Sequence, residues 1–134
     1  MEGHSAGMDE NMLAKIVVDA AFHVHDELGP GLLESVYEAV LARELAERGL
    51  QVVRQRIIPI RYRDMAFDEG FRADLIINEL VILEIKSVEQ VTGVHKKQLL
   101  TYLRLTDKRL GLVINFGAEL IRDGISRVVN GLAD

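Results

Sequence analysis

Between Ala73 and Lys86 the chain is almost unbroken Leu, Ile and Val, interrupted by Asp74, Asn78, Glu79, Glu84 and Lys86. Two short apolar runs, Phe71–Ile77 and Val81–Ser87, joined near Asn78-Glu79, read as β-strands. Their apolar residues fall at successive rather than alternate positions, the pattern of strands covered on both faces. A chain containing them needs a layer on either side of a sheet, and the remaining sequence has to supply it.

Helical spacing supplies one layer. Met12, Ile16, Val17, Ala20 and Val24 predict a first amphipathic helix over Asp9–Leu28, broken by Gly29-Pro30-Gly31. A second is expected over Leu32–Arg48, with Leu33, Val36, Tyr37, Val40, Leu41 and Leu45 apolar and Gly49 just past its end. Val52–Ile57 and Ile58–Arg63 read as strands, with Pro59 marking an edge position or a bulge. Asp64–Gly70 is polar and turn-like. A third helix is expected over His95–Leu105, a buried strand over Gly111–Phe116, and a short strand or helical turn over Ile125–Val129. The order α-α-β-β-β-β-α-β implies an α/β or α+β domain with helices packed on a central sheet. Residues 9–134 read as one domain and residues 1–8 as a loose N-terminus.

Composition narrows the function classes. The 134 residues are 49% hydrophobic and contain no cysteine, so thiol catalysis, disulfides and thiolate zinc sites are excluded, and a reducing cytoplasm fits. No apolar run approaches the roughly 18 residues of a membrane span, and the N-terminus lacks a signal-peptide pattern. The net charge of −5 argues against a protein that coats nucleic acid, but it is unevenly spread. Residues 1–47 carry two basic and ten acidic groups, whereas residues 48–109 carry twelve basic and eight acidic. One face could therefore meet a polyanion, although solvated arginines on exposed strands explain the same excess.

Charged groups inside apolar strands need a partner, a metal or a strand end. Glu84 and Lys86, two residues apart, project from the same face of a strand. Asp74 joins them only in one register. A two-residue turn at Asn78-Glu79 pairs Asp74 with Leu83 and separates the two carboxylates. A three-residue loop, Asn78-Glu79-Leu80, pairs Asp74 with Glu84. Two close carboxylates repel each other, and a hard divalent cation relieves that while activating a water toward a phosphate. An adjacent lysine can orient the nucleophile or stabilise the transition state. The plainer alternative is a structural Glu84–Lys86 pair at a strand end.

Several ordered motifs go beyond this triplet. Gly31-Leu-Leu-Glu34-Ser-Val-Tyr37 fits a GxxExxY pattern, followed by Gly70-Phe71-Arg72-Ala73-Asp74, Glu84-Ile85-Lys86 and His95-Lys-Lys-Gln98-Leu-Leu-Thr-Tyr102. Together they resemble the prokaryotic GxxExxY proteins, a group of the PD-(D/E)XK nuclease-like superfamily, over about residues 10–130. The resemblance implies a restriction-endonuclease-like fold with a mixed sheet flanked by helices. It implies a nuclease dependent on Mg²⁺ or Mn²⁺, with Asp74, Glu84 and Glu34 as metal ligands and Lys86 as the catalytic lysine. Ala73 stands where the superfamily's nominal proline would be.

Glu34 and Tyr37 are one helical turn apart. Tyr37 is a candidate to touch a phosphate, or else a packed core residue beside a first-turn acid that suits the helix dipole. Gln98 is a candidate to position the water or the phosphate. His95, Lys96, Lys97, Arg72 and Tyr102 are candidate substrate contacts, and the alternative for the third helix is an ordinary amphipathic one with a solvated polar side. The expected partner is DNA, bound weakly without metal, and a homodimer suits the cutting of two strands. The competing class is a catalytically inactive module that keeps the nuclease fold and binds a protein or nucleic acid.

Overall fold

The two apolar runs occupy the second and third positions of a five-stranded mixed sheet. The computed structural model describes residues 7–133. In chain order the elements are α1 (Glu10–Leu28), α2 (Glu34–Glu47), β1 (Val52–Tyr62), β2 (Met65–Ile77), β3 (Val81–Lys86), α3 (Gly93–Thr106), β4 (Leu110–Asn115), α4 (Ile121–Gly124) and β5 (Ile125–Val129). The sheet order follows the chain, β1 to β5, and every pairing is antiparallel except β3 with β4, which the α3 crossover makes parallel.

Both faces of the central strands are covered, as their composition requires. Leu75, Ile77, Val81, Leu83 and Ile85 pack with α1 and α2 in one core cluster. Ala73, Ile76, Ile82 and Val113 pack with Leu99 and Leu103 of α3 in another. Asp9 caps α1 by accepting the Met12 N–H at 2.9 Å. The buried stripe of α1 is Leu13, Val17, Ala20, Ala21 and Val24, so Met12 points outward instead of into the core. On α2 the buried side is Tyr37, Glu38, Leu41, Ala42 and Leu45, and Leu33, Val36 and Val40 are exposed.

Two expectations are corrected. Val52–Ile57 and Ile58–Arg63 form a single strand, and the register shift between Ile58 and Ile60 brackets Pro59. This is an edge strand, where a missing donor is tolerated. Asp64–Gly70 is mostly strand rather than turn, because Met65, Ala66 and Phe67 pair with Tyr62, Arg61 and Ile60. Cross-strand pairing overrides the polar local composition there. Ile125–Val129 is a strand, preceded by the short α4. Of the N-terminal stretch read as loose, residues 1–6 lie outside the described residues, and Met8 packs against the core. Among the described residues no helix is long and apolar enough to cross a membrane.

Candidate active site

The β2–β3 connection is the three-residue loop: Ile77 pairs with Val81, Ile76 with Ile82 and Leu75 with Leu83. Ladder pairing stops there, and one further step of the same register brings Asp74 opposite Glu84. Each carboxylate accepts a backbone N–H from the other strand. Asp74 N–H donates to Glu84 Oε2 at 3.2 Å, and Ile85 N–H donates to Asp74 Oδ2 at 2.8 Å. The side chains thus satisfy amides that the sheet leaves unpaired where it opens.

Opposite Asp74 lies Gln55, flanked by the pairs Arg54–Leu75 and Arg56–Ala73. Gln55 has φ +53°, in the left-handed region that a non-glycine residue enters at a cost of about 1–2 kcal/mol. At this same rung β2 reverses its faces: Leu75 belongs to the α1–α2 core and Ala73 to the α3 core, although regular alternation would put both on one side. The Gln55 amide consequently reaches α2. It donates to Glu38 Oε1 at 2.6 Å and lies 3.5 Å from Asp74 Oδ1. Arg54 Nε donates to the other Glu38 oxygen at 3.3 Å.

The cleft at this point has a volume of about 560 Å³ and is lined by Leu32, Leu33, Glu34, Ser35, Glu38, Gln55, Asp74 and Ser87. Its rim is built by the GxxExxY segment. Gly31, at φ +105°, completes the turn between α1 and α2. Glu34 opens α2 and accepts the Ser87 N–H at 3.3 Å, while Ser87 Oγ donates to Leu32 O at 2.6 Å. Tyr37 is 0% exposed. Its hydroxyl donates to Gly29 O and accepts from Leu32 N–H, and its ring stacks on Phe116. Tyr37 therefore has no surface with which to contact a substrate. It latches the loop that presents Glu34.

A second latch holds the segment after Lys86. Asn115, buried at the end of β4, accepts from the Val88 and Gly117 N–H groups and donates to Val88 O. Gly117 packs so tightly that a Cβ there would lie 2.3 Å from Val88 O.

The electrostatics of the opening are unfavourable for two carboxylates alone. Glu84, 9% exposed, is pushed up to about 8, first by burial and then by the Asp74 charge. Asp74 is raised by burial too, opposed by its bond from Ile85 and further raised by Glu38. The Lys86 ammonium lowers both. Tyr102 of α3 is raised by burial and then by the two carboxylates, so it stands close to them, and its ring lies flat on Phe71 at 3.6 Å.

A divalent cation fits this chemistry, since it would offset the charge that burial and proximity make costly. The expected trio of ligands is not assembled, however. Among the described residues no group of three acidic or histidine side chains is close enough to hold an ion by itself, and Glu34 is turned to Ser87. Magnesium is commonly held by one or two carboxylates plus waters, which Asp74 and Glu84 can supply.

The other candidates lie along α3 and β2. Gln98, Lys96, Lys97 and Arg72 are exposed. His95 accepts the Thr92 N–H at 3.2 Å, closing a capping box at the start of α3. Glu38, Gln55 and Asn115 were not anticipated. Glu38 follows Glu34 by one helical turn, so the i, i+4 spacing was the available signal. Gln55 and Asn115 had none. A larger cleft, about 730 Å³ between α1 and the β4–β5 edge, is lined mainly by apolar groups with Lys15, Asp19 and Arg127, and Asp19 is bound to Arg48.

A family model described as the PD-(D/E)XK nuclease superfamily matches residues 11–128, a span that contains every residue of this site. No curated protein and no solved structure matches the chain. The mixed sheet flanked by helices agrees with the restriction-endonuclease-like fold of that group. The chain belongs to the PD-(D/E)XK nuclease superfamily.

Proposed function

We propose that the protein hydrolyses phosphodiester bonds of DNA with Mg²⁺ or Mn²⁺, and that it belongs to the GxxExxY group of its superfamily. The observation that supports this most is the Asp74–Glu84 pair at the opening of β2 and β3, with the charge of Lys86 acting on both. When bound, the cation supplies Lewis acidity toward a water and toward the scissile phosphate. Asp74 and Glu84 would hold it, and Glu34 and Glu38 would order waters from the α2 side. Water oxygen attacks phosphorus, the ester P–O bond breaks, and the departing oxygen takes up a proton. Lys86 would balance the negative charge that grows on the phosphate oxygens in this step. Gln98 would orient water or phosphate, and Tyr102, Lys96, Lys97, Arg72 and the free side of His95 would position the strand. Cutting both strands of a duplex takes two such sites, which a pair of chains would supply.

The test is cleavage of single-stranded, duplex and branched DNA with each metal, beside Glu84→Gln and Lys86→Ala. Each substitution is expected to lower the rate roughly a hundredfold or more. Cleavage that survives both would locate the chemistry elsewhere. A folded protein that cuts nothing would favour the non-catalytic binding module.

A further inference from the structure

Among the described residues, left-handed backbone at positions other than glycine occurs at Gln55, Arg63, Asn78, Glu79 and Asp107. Arg63, Asn78 and Glu79 lie in the turns between strands and Asp107 caps α3, where such a conformation closes a loop or a helix. Gln55 alone lies inside a strand. Its neighbours Arg54 and Arg56 pair with Leu75 and Ala73 in one continuous register, so the kink is not the by-product of an inserted residue.

The consequence falls on Asp74. From its C-terminal end β2 alternates between the two cores: Ile77 and Leu75 face α1 and α2, and Ile76 faces α3. Regular continuation would send Asp74 toward α3 and Ala73 toward α1 and α2. Ala73 lies in the α3 core instead, so the alternation slips at Asp74, opposite the kink. The carboxylate is thereby turned. Oδ2 accepts the Ile85 N–H at 2.8 Å, and Oδ1 faces Gln55 in the cleft that Glu34 and Glu38 also line.

Backbone and side chain of Gln55 contribute unequally. The amide nitrogen is 2.6 Å from Glu38 Oε1 but 3.5 Å from Asp74 Oδ1, the outer limit of a hydrogen bond. Its amide thus ties the kink to α2 through Glu38, whereas the turn of Asp74 comes from the kinked rung itself.

We propose that Gln55 is a positioning residue whose left-handed backbone aims Asp74 at the cation of the cleft. The proposal rests on the reading of that cleft as a divalent-metal site.

Mn²⁺ titrated into the metal-free full chain, followed by calorimetry and by the electron paramagnetic resonance of free Mn²⁺, tests it without any need for cleavage. Wild type is expected to bind and Asp74→Asn to lose binding. Valine resists left-handed backbone, so Gln55→Val should weaken Mn²⁺ binding roughly tenfold or more. Glycine enters that region freely and carries no amide, so Gln55→Gly should recover most of the loss. A kink with only a structural role would lower the melting temperature of Gln55→Val and leave the Mn²⁺ affinity of the folded protein unchanged. If Gln55→Val fails to fold, Gln55→Ala decides. It lacks the amide as Gln55→Gly does, and its Cβ alone should make binding weaker than in Gln55→Gly. Equal binding by those two would then overturn the proposal. Loss of Mn²⁺ in Asp74→Asn with full binding in Gln55→Val overturns this inference alone. So does a Gln55→Gly as weak as Gln55→Val, which would give the role to the amide. A wild type that takes up no Mn²⁺, or an Asp74→Asn that binds it equally well, overturns the reading of the cleft and this inference with it.

Discussion

Glu84 is the residue at which the chemistry and the stability of this protein are in conflict. An unfolded glutamate releases its proton near pH 4.5, while the folded one keeps it until about pH 8. Between those values the folded state binds more protons, so raising the pH lowers stability, by about 1.4 kcal/mol per pH unit at most. Below the window the penalty is absent, and above it the penalty is complete. The metal-free protein should therefore show a melting temperature that falls from about pH 5 to pH 8. Glu84→Gln should flatten that profile and raise the melting temperature at its alkaline end. A flat wild-type profile in calorimetry would mean that Glu84 ionises freely, without a buried charge beside it. At this scale the sequence was only partly legible. Asp74, Glu84 and Lys86 stood out as charges in apolar strands. Gln55 looked like an ordinary polar strand residue, because its effect depends on a left-handed backbone and on which helix lies over it.

Elements were more legible where their periodicity came from burial. The boundaries of α1, α3, β3 and β4 follow from apolar spacing and flanking breakers. The β1–β2 hairpin was misread because the acids Asp64, Asp68 and Glu69 flank the paired Met65–Phe67 and give the stretch a turn-like local composition. The α1–α2 connection shows a different limit. Gly31, Glu34 and Tyr37 form one visible pattern, but the roles divide between a turn, a cleft carboxylate and a buried latch. Removing the latch hydroxyl in Tyr37→Phe deletes the bonds to Gly29 O and Leu32 N–H while the stacking on Phe116 is kept. Urea denaturation should show a loss of about 1–2 kcal/mol. The variant should retain turnover except for a modest loss through the loosened Glu34 loop, since Tyr37 itself is walled off from the cleft. A collapse of turnover with unchanged stability would restore Tyr37 to the reaction.

Across the whole molecule the charge asymmetry takes on a shape. Several of the basic groups after residue 47 are already neutralised: Arg48 by Asp19 and Glu44, Arg54 by Glu38, Arg56 by Glu79, and Arg109 by Glu10. Lys86, Lys96, Lys97 and Arg104 make no ion pair among the described residues and lie on β3 and α3. That leaves a modest cationic surface beside a cleft whose own carboxylates repel phosphate. Fluorescence anisotropy with labelled duplex should show weak, steeply salt-dependent binding without metal and, above about pH 8 where wild-type Glu84 is ionised, tighter binding to Glu84→Gln, which then has one anion fewer. Tight metal-free binding by the wild type would overturn the assignment of the cleft to DNA.

By itself the sequence determined the layered sheet, because near-continuous apolar strands have no stable alternative to being covered on both sides. It also set the identity of the carboxylates and the lysine, because charge in such strands needs a reason. Tertiary structure alone decided that Asp74 meets Glu84, since a one-residue difference in the β2–β3 loop would have sent them to opposite faces. It alone brought Glu38 and Gln55 to Asp74, buried Tyr37, and left one hairpin uncovered. Those outcomes depend on contacts between residues far apart in the chain, and local spacing does not encode them.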